Sequence, residues 1–287
     1  MPIEPVPVRL PLRAGTPAGG DGASGAPNSL AESGDPGALE ELAVDVAIAA
    51  AELVRRRLGR SPMVETKTSP TDVVTATDIE VENFIRAELL AATPGAAIRG
   101  EERAPVLGTT SIAWVIDPID GTVNFLYDLP VMSVSIAARI ADEVVAGAVA
   151  DVVRGEVFSG STGNAVRRDG ARVGASDTTD LSDALVGTGF SYAADVRGRE
   201  GAVVARVLPA ARDIRCFGSA ALHLCWVACG RLEAFYQRGL MEWDVAAGAF
   251  LAAEAGARVE LGSDANDGLV LAAAPGVFEP LRALLVG

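Results

Sequence analysis

Ala113-Trp114-Val115-Ile116-Asp117-Pro118-Ile119-Asp120-Gly121-Thr122-Val123-Asn124-Phe125 is the stretch on which the reading of this chain turns. The apolar run Ile112 to Ile116 reads as a short strand that delivers Asp117 to its C-terminal end. Pro118 has no N–H for a ladder, so pairing is expected to stop there and the chain to turn, setting Asp120 beside Asp117. Gly121 permits a tight backbone, and Thr122 adds a hydroxyl. Two carboxylates this close are costly unless a cation neutralises them. Oxygen ligands with no nitrogen or sulfur beside them suit Mg²⁺, a hard ion that binds carboxylates and substrate phosphate. A plain polar turn would need neither the strand before the pair nor the Gly-Thr after it.

Upstream, Leu39, Leu42, Val46, Ala49, Ala50 and Leu53 recur at helical spacing after Asp35 and Pro36, with Gly59 as a stop. A second helix is expected from about Asp78 to Ala92, with Val81, Ile85 and Leu89 on one face. Downstream, Val131 to Ile140, Val144 to Val153 and Glu156 to Ser159 are split by turns at Asp142-Glu143 and Arg154-Gly155 and read as an antiparallel meander. After about residue 184 strands and helices alternate. Strands are expected at Leu185 to Thr188, Leu232 to Tyr236 and Leu269 to Ala273. Helices are expected near Gly198 to Pro209, Ser219 to Cys229, Asp244 to Ala255 and Pro280 to Val286. Helix layers packed on two sheets is the architecture this supports. Residues 1–37, rich in Pro, Gly, Ala and Ser without a period, read as a disordered tail. Residues 38–287 read as one domain, an α+β half to about residue 183 and an α/β half after it.

Composition narrows the chemistry. The 287 residues carry 24 Lys and Arg against 38 Asp and Glu, a formal charge of −14, which argues against a nucleic-acid surface or docking on anionic lipid. No apolar run is long enough for a membrane span; Ser219 to Gly230 suits a buried helix. Lys67 is the one lysine and sits in Glu-Thr-Lys-Thr-Ser without a glycine-rich lead, so a Walker A loop is excluded. His223 is the one histidine, so a multi-histidine zinc site is excluded too. Three cysteines, no secretory segment and no Asn-X-Ser/Thr sequon point to a reducing, cytoplasmic setting. Carboxylates and hydroxyls remain to do the work.

Asp117-Pro118-Ile119-Asp120-Gly121-Thr122-Val123-Asn124-Phe125 resembles the core motif of the inositol monophosphatase family of Mg²⁺-dependent, lithium-sensitive phosphatases. Gly100-Glu101-Glu102 resembles its Gly-Glu-Glu turn, Lys67-Thr68-Ser69-Pro70-Thr71-Asp72 leading to Thr77-Asp78 its upstream loop, and Trp243-Asp244-Val245-Ala246-Ala247-Gly248 its later Trp-Asp segment. The resemblance covers about residues 39–285 and is strongest to actinobacterial members, while the Arg-for-Lys, Ala-rich bias suggests a GC-rich genome. It implies an α/β (α+β) fold, a layered αβαβα sandwich of the inositol monophosphatase and sugar phosphatase type. It also implies two or three Mg²⁺ per active site. Glu101, Asp117 and the Ile119 carbonyl would hold one metal, and Asp117, Asp120 and Asp244 a second. Glu101 and Thr122 would orient and deprotonate the attacking water, while Gly121 and Thr122 offer backbone N–H groups to phosphate. Asp120, Gly218, Ser219, Ala220, Gln237 and Asp244 would meet the substrate, with Lys67 and Asp78 just outside the metals. The implied activity is hydrolysis of myo-inositol 1-phosphate or a similar cyclitol or sugar phosphate by a cytoplasmic homodimer. Histidinol phosphate, fructose 1,6-bisphosphate and 3′-phosphoadenosine 5′-phosphate are the alternatives. Gln237 departs from the Glu usual in inositol-specific members and leaves substrate choice open.

Two rival motifs fail on context. Cys225 to Arg231 has the Cys-X5-Arg spacing of cysteine-dependent phosphatases, yet Leu222, Cys225, Trp226 and Cys229 form a helical stripe, which makes the thiols and His223 core groups. Asp-X-X-Asp-Gly-Thr differs by one residue from the haloacid-dehalogenase nucleophile loop and has no lysine downstream. A different class of function, a binding partner in transcription or ribosome assembly, is compatible with an intact site.

Overall fold

The computed structural model describes residue 30, residues 34–59, 63–66, 73–263 and 267–286. Of the expected tail, residues 1–29 and 31–33 lie outside the described residues, as does Lys67. Helix α1 (Pro36–Arg57) begins where Asp35 accepts a hydrogen bond from the Ala38 N–H and Pro36 takes the first position. The short strands β1 (Met63–Thr66) and β2 (Val73–Thr75) pair antiparallel and lead into α2 (Ala76–Ala92). Then follow β3 (Ala97–Gly100), β4 (Ile112–Asp120), the one-turn helix α3 (Thr122–Leu126), β5 (Ser133–Ile140), β6 (Glu143–Asp151), β7 (Val157–Ser161), β8 (Arg167–Arg168) and β9 (Ala171–Arg172). Strands β3 to β9 lie in sequence order in a seven-stranded sheet, antiparallel except for the β3–β4 pair.

The second half runs β10 (Leu185–Thr188), α4 (Ala194–Val207), β11 (Asp213–Arg215), α5 (Ala220–Ala228), β12 (Ala234–Arg238), α6 (Glu242–Glu254), β13 (Arg258–Glu260), β14 (Leu269–Ala273) and α7 (Pro275–Val286). Its five-stranded sheet has the order β11-β10-β12-β14-β13, with β10 parallel to β11 and β12 and the other pairs antiparallel.

Three hydrophobic cores hold five layers together. Leu39, Val46, Ile85 and Leu89 of α1 and α2 pack with Trp114, Ile116 and Ile136 on the outer face of the larger sheet. Leu224 and Phe250, from α5 and α6, fill the space between the sheets with Val115, Val149 and Phe235. Val207, Val277 and Leu281, from α4 and α7, cover the outer face of the smaller sheet against Leu269 and Leu271. This is the αβαβα sandwich. Among the described residues no helix is long and apolar enough to cross a membrane.

The expected elements are present, with shifted ends. The largest correction concerns Pro118. β4 does not stop there but continues to Asp120, because Asp117 pairs with Ser135 and Asp120 with Ser133, one extra residue on the β4 side. A bulge absorbs the proline that cannot donate. Helix α7 starts five residues earlier than Pro280, which stands exposed within it while Val277, Phe278, Leu281 and Leu285 bury one stripe. β12 runs to Arg238 rather than Tyr236, which puts Gln237 on a strand.

Candidate active site

The bulge in β4 shapes the site. Its extra residue sets Asp120 opposite Ser133, and Gly121 then takes φ +107°, where a Cβ would stand 3.0 Å from the Val131 carbonyl and 3.2 Å from that of Gly218. Only glycine fits that backbone and that gap. The chain turns at once into α3, so Asp117, Ile119, Asp120 and Thr122 are crowded on one bend. Asp117 is 1% exposed and Asp120 8%. Asp117 Oδ1 accepts the Ile119 N–H at 3.0 Å.

Asp120 spans the two halves of the domain. Its Oδ2 accepts from Ser219 Oγ (2.5 Å), Ala221 N (2.8 Å) and Ser133 Oγ (3.3 Å), and its Oδ1 from Ala220 N (3.1 Å). Ser219 is the N-cap of α5, so Asp120 sits at the positive end of that helix. Burial still pushes its carboxyl above the usual range, with the Ser219 and backbone hydrogen bonds pulling the other way. A cation beside it would favour the ionised form.

Thr122 is the second junction. Its hydroxyl lies 3.1 Å from Asp78 Oδ1 and 3.1 Å from the Ile119 carbonyl, two acceptors for one hydrogen. Asp78, fully buried, also closes a capping box at the start of α2, accepting from the Thr75 N–H (2.8 Å) and hydroxyl. Asp244, third residue of α6, accepts the Met241 N–H at 2.6 Å. The structure therefore joins Asp78, Ile119 and Thr122 in one cluster and Asp120, Ser219 and Ala220 in another. Among the described residues no three acidic, histidine or cysteine side chains are gathered closely enough to hold a metal ion. In chemistry the expected ligands fit a hard divalent cation, since all offer oxygen and Asp120 is a buried carboxylate held by neutral donors.

Several supporting residues escaped the sequence reading. Asn124 donates from Nδ2 to the Val131 carbonyl (2.7 Å) and the Phe217 carbonyl (2.6 Å), fastening α3 to the loop before Gly218. Glu82, one turn beyond Asp78, accepts from the backbone N–H groups of Glu102 (2.6 Å) and Arg103 (3.1 Å) and pairs with Arg86. Arg86 in turn donates to the carbonyls of Ala104 and Arg103, so both side chains fix the turn that carries Glu101. An acid and an arginine four apart on the buried face of α2 was the available signal.

The rival groups behave as core. Cys225 is fully buried and its thiol is pushed well above the ordinary range by burial. His223 is held down to about 4 by burial. Its Nδ1 lies 2.6 Å from the Ser219 carbonyl and so carries the proton, while Nε2 faces the Phe217 N–H at 3.4 Å and the ring stacks on Phe235 at 4.8 Å. His223 is a neutral brace for the Phe217–Ser219 loop.

Comparison with known proteins agrees with this fold. The profile of the inositol monophosphatase family matches residues 35–284. A Mycobacterium leprae protein named inositol-1-monophosphatase is 44% identical over 274 residues, covering 88% of this chain and 94% of the relative. The solved structure of Mycobacterium tuberculosis SuhB superposes with a TM-score of 0.74 at 42% identity, covering 88% of this chain and 96% of that one. A Pseudomonas aeruginosa relative named Nus factor SuhB is 37% identical over 225 residues, 76% of this chain and 83% of its own. With its core motif on a bulged strand end and its five-layer sandwich, the chain belongs to the inositol monophosphatase family, whose members are metal-dependent phosphoric monoester hydrolases.

Proposed function

We propose that this protein is a Mg²⁺-dependent phosphomonoesterase that hydrolyses myo-inositol 1-phosphate, or a similar cyclitol or sugar phosphate, by attack of water. The observation that carries the reading is the buried relay from Thr122 to Asp78, set on the same bend as Asp117 and Asp120. Glu101, Asp117 and the Ile119 carbonyl would hold one Mg²⁺, and Asp117, Asp120 and Asp244 a second, with two or three metals per site. When bound, such ions supply Lewis-acid charge that makes water more acidic and offsets charge on the leaving oxygen.

The chain's own groups do the rest. Thr122 donates its proton to Asp78, which leaves its oxygen lone pairs to accept a hydrogen bond from the attacking water and fix its direction. Asp78 can take up the proton that passes through Thr122, and Glu101 assists from the opposite turn. The backbone N–H groups of Gly121 and Thr122 orient the phosphate. Gly218, Ser219 and Ala220, braced by His223 and Asn124, meet the organic part of the ester together with Gln237 and Asp244. We place the enzyme in the cytoplasm as a homodimer, with a small-molecule phosphate monoester as its partner and no nucleic acid or membrane in contact. The net charge of −14 supports that exclusion.

Phosphate release with and without Mg²⁺, across inositol 1-phosphate, histidinol phosphate, fructose 1,6-bisphosphate and 3′-phosphoadenosine 5′-phosphate, tests the reading. A Mg²⁺-dependent preference for the inositol ester supports it, and preference for another ester keeps the mechanism while moving the substrate. A second reading, a binding partner of the transcription machinery, draws on the relative named a Nus factor. Absence of turnover with metal bound, together with transcription-factor capture that survives Asp120→Asn, would favour it.

A further inference from the structure

Two of the proposed metal ligands stand on separate elements, Glu101 in the turn after β3 and Asp244 in the first turn of α6. Two residues before each is a charged side chain, Arg99 and Glu242, and these meet: Arg99 Nη1 lies 3.1 Å from Glu242 Oε2. The Glu242 side chain is 1% exposed and that of Arg99 22%. The same guanidinium stands 5.8 Å over the ring of Trp243. Arg99 thus grips both residues that lead into Asp244. Neutralising Glu242 does not require it, because Arg139, at 8% side-chain exposure, already pairs with that buried carboxylate from β5. A second arginine, from a second strand, asks for a reason.

Strand position supplies one. β3 is an edge of the seven-stranded sheet, and its neighbour there is β4. Arg99 stands opposite Val115, whose side chain packs in the core between the sheets, so Arg99 projects toward the middle helix layer. Asp117 follows two residues after Val115, as Glu101 follows Arg99, a step of roughly 7 Å at the strand rise. The Arg99–Glu242 pair therefore lies one strand step behind the proposed ligands. From the outer face of the sheet, Glu82 and Arg86 of α2 hold the Glu101 turn through its backbone. Farther along, α6 is seated on β6, where a Cβ at Gly147 would stand 3.2 Å from the Ala247 Cα. Arg99 is the tie between the start of that helix and the strand that leads to Glu101.

We infer that Arg99 is a positioning residue for the metal site: its ion pair with Glu242 sets the separation between the turn that carries Glu101 and the helix start that carries Asp244. The inference rests on the phosphomonoesterase reading above, which gives those two residues to the metals. Arg139 holds the same carboxylate from a strand that carries no proposed ligand, so it joins the layers without setting that separation. Charge alone works in the opposite direction. A guanidinium near a cation site repels the cation, so deleting it with no change of position would tighten Mg²⁺ binding.

The test sets Arg99→Met beside Arg139→Met, each keeping an apolar stem and losing its charge. Mg²⁺ binding is read by titration calorimetry on the purified proteins, alongside the Mg²⁺ half-saturation of phosphate release and the metal-free Tm. Arg99→Met is expected to weaken Mg²⁺ binding roughly 10-fold or more, the loss common for residues that orient metal ligands, and to act on half-saturation rather than kcat. Arg139→Met, at the more buried position, should lower the Tm further and leave Mg²⁺ binding at the wild-type level. Among the described residues neither Arg99 Nη2 nor Glu242 Oε2 has a hydrogen-bond partner, so the contact is one of charge, and Arg99→Lys should recover most of the affinity. Should Arg99→Met fail to fold, Arg99→Gln takes its place with the same expectation. Unchanged or tighter Mg²⁺ binding in the Arg99 variant, equal weakening in both arginine variants, or no recovery with Lys would overturn the positioning role and leave the metal site standing. A wild-type protein that binds no Mg²⁺ would remove the metal reading and the inference with it.

Discussion

Two buried carboxylates seat the middle helix layer on the seven-stranded sheet, and they are compensated in opposite ways. Asp120 reaches from β4 to the start of α5 and is held by Ser219, Ser133 and two backbone N–H groups. Glu242, first residue of α6, reaches back to the same sheet and pairs with Arg139 of β5 and with Arg99 of β3 at 3.1 Å. Burial raises both carboxyls, in Glu242 against the pull of the two guanidiniums. The second region is electrically complete as it stands. In the first, neutral donors hold the carboxylate in place without cancelling its charge, which leaves that charge for a cation. The first arrangement suits a site that takes up metal, as proposed for Asp120, and the second suits a site that only joins layers.

The sharpest way to break this contrast is Asp120→Asn. The amide keeps an acceptor for the α5 N-terminus and removes the charge, so turnover in Mg²⁺ is expected to fall on the order of a thousandfold or more. The metal-free Tm should move by only a few degrees, because a neutral amide is cheaper to bury than the carboxylate while its NH2 faces one of the two backbone N–H donors. Metal-dependent stabilisation measured by calorimetry should disappear. Normal activity from the purified variant would refute the assignment of Asp120 to the metal.

Next in size is Glu242→Ala. It removes the shared carboxylate from two guanidiniums: Arg139, at 8% side-chain exposure, which keeps Asp142 at 3.1 Å, and Arg99, at 22%, which stays 5.8 Å over the Trp243 ring. Removing one partner of a buried pair costs about 3–5 kcal/mol, and the better exposed Arg99 puts the expectation at the lower end. Thermal unfolding should drop by roughly 10 °C. A change of a degree or two would mean that the arginines find water and that the two carboxylates differ less than argued.

His223 tests the neutral region by pH. Its folded-state value of about 4 lies below the ordinary 6.5, so between those limits the unfolded chain binds the proton and the folded chain does not. Stability from this group is present above about 6.5 and is lost as pH falls toward 4. At 1.36 kcal/mol per pH unit the gap amounts to about 3 kcal/mol, and His223→Gln should flatten the Tm-against-pH curve over that window. An unaltered acid limb would show that the brace on Ser219 is not kept neutral by the fold.

The outline of these regions was legible in local sequence, while the pairings were not. Leu185–Thr188 and Leu269–Ala273 fall where the apolar runs place them, and Ser219 caps its helix as its position suggests. Those features rest on neighbours along the chain. Arg139 meets Glu242 across 103 residues, and Asn124 meets Phe217 across 93, and nothing in either segment names its partner. Pro118 misled for a related reason: a proline breaks a ladder only if the register is kept, and here the partner strand skips a residue.

The smallest effect is expected at the surface of α2, where the contrast between charged and neutral partners should vanish. Arg57 donates to both oxygens of Glu80, at 2.9 and 2.7 Å, and this bidentate geometry holds the Glu80 carboxyl below its ordinary range. By geometry alone the pair rivals Arg139 with Glu242. Its side chains, however, are 46% and 42% exposed, so water and salt already solvate both charges. Glu80→Gln should therefore move the Tm by no more than about 2 °C, by less still in high salt, and leave phosphate release untouched. A loss approaching that of Glu242→Ala would show that bond geometry rather than burial sets the worth of a charge in this fold. Uncompensated burial would then no longer single out Asp120 as the carboxylate that takes a cation.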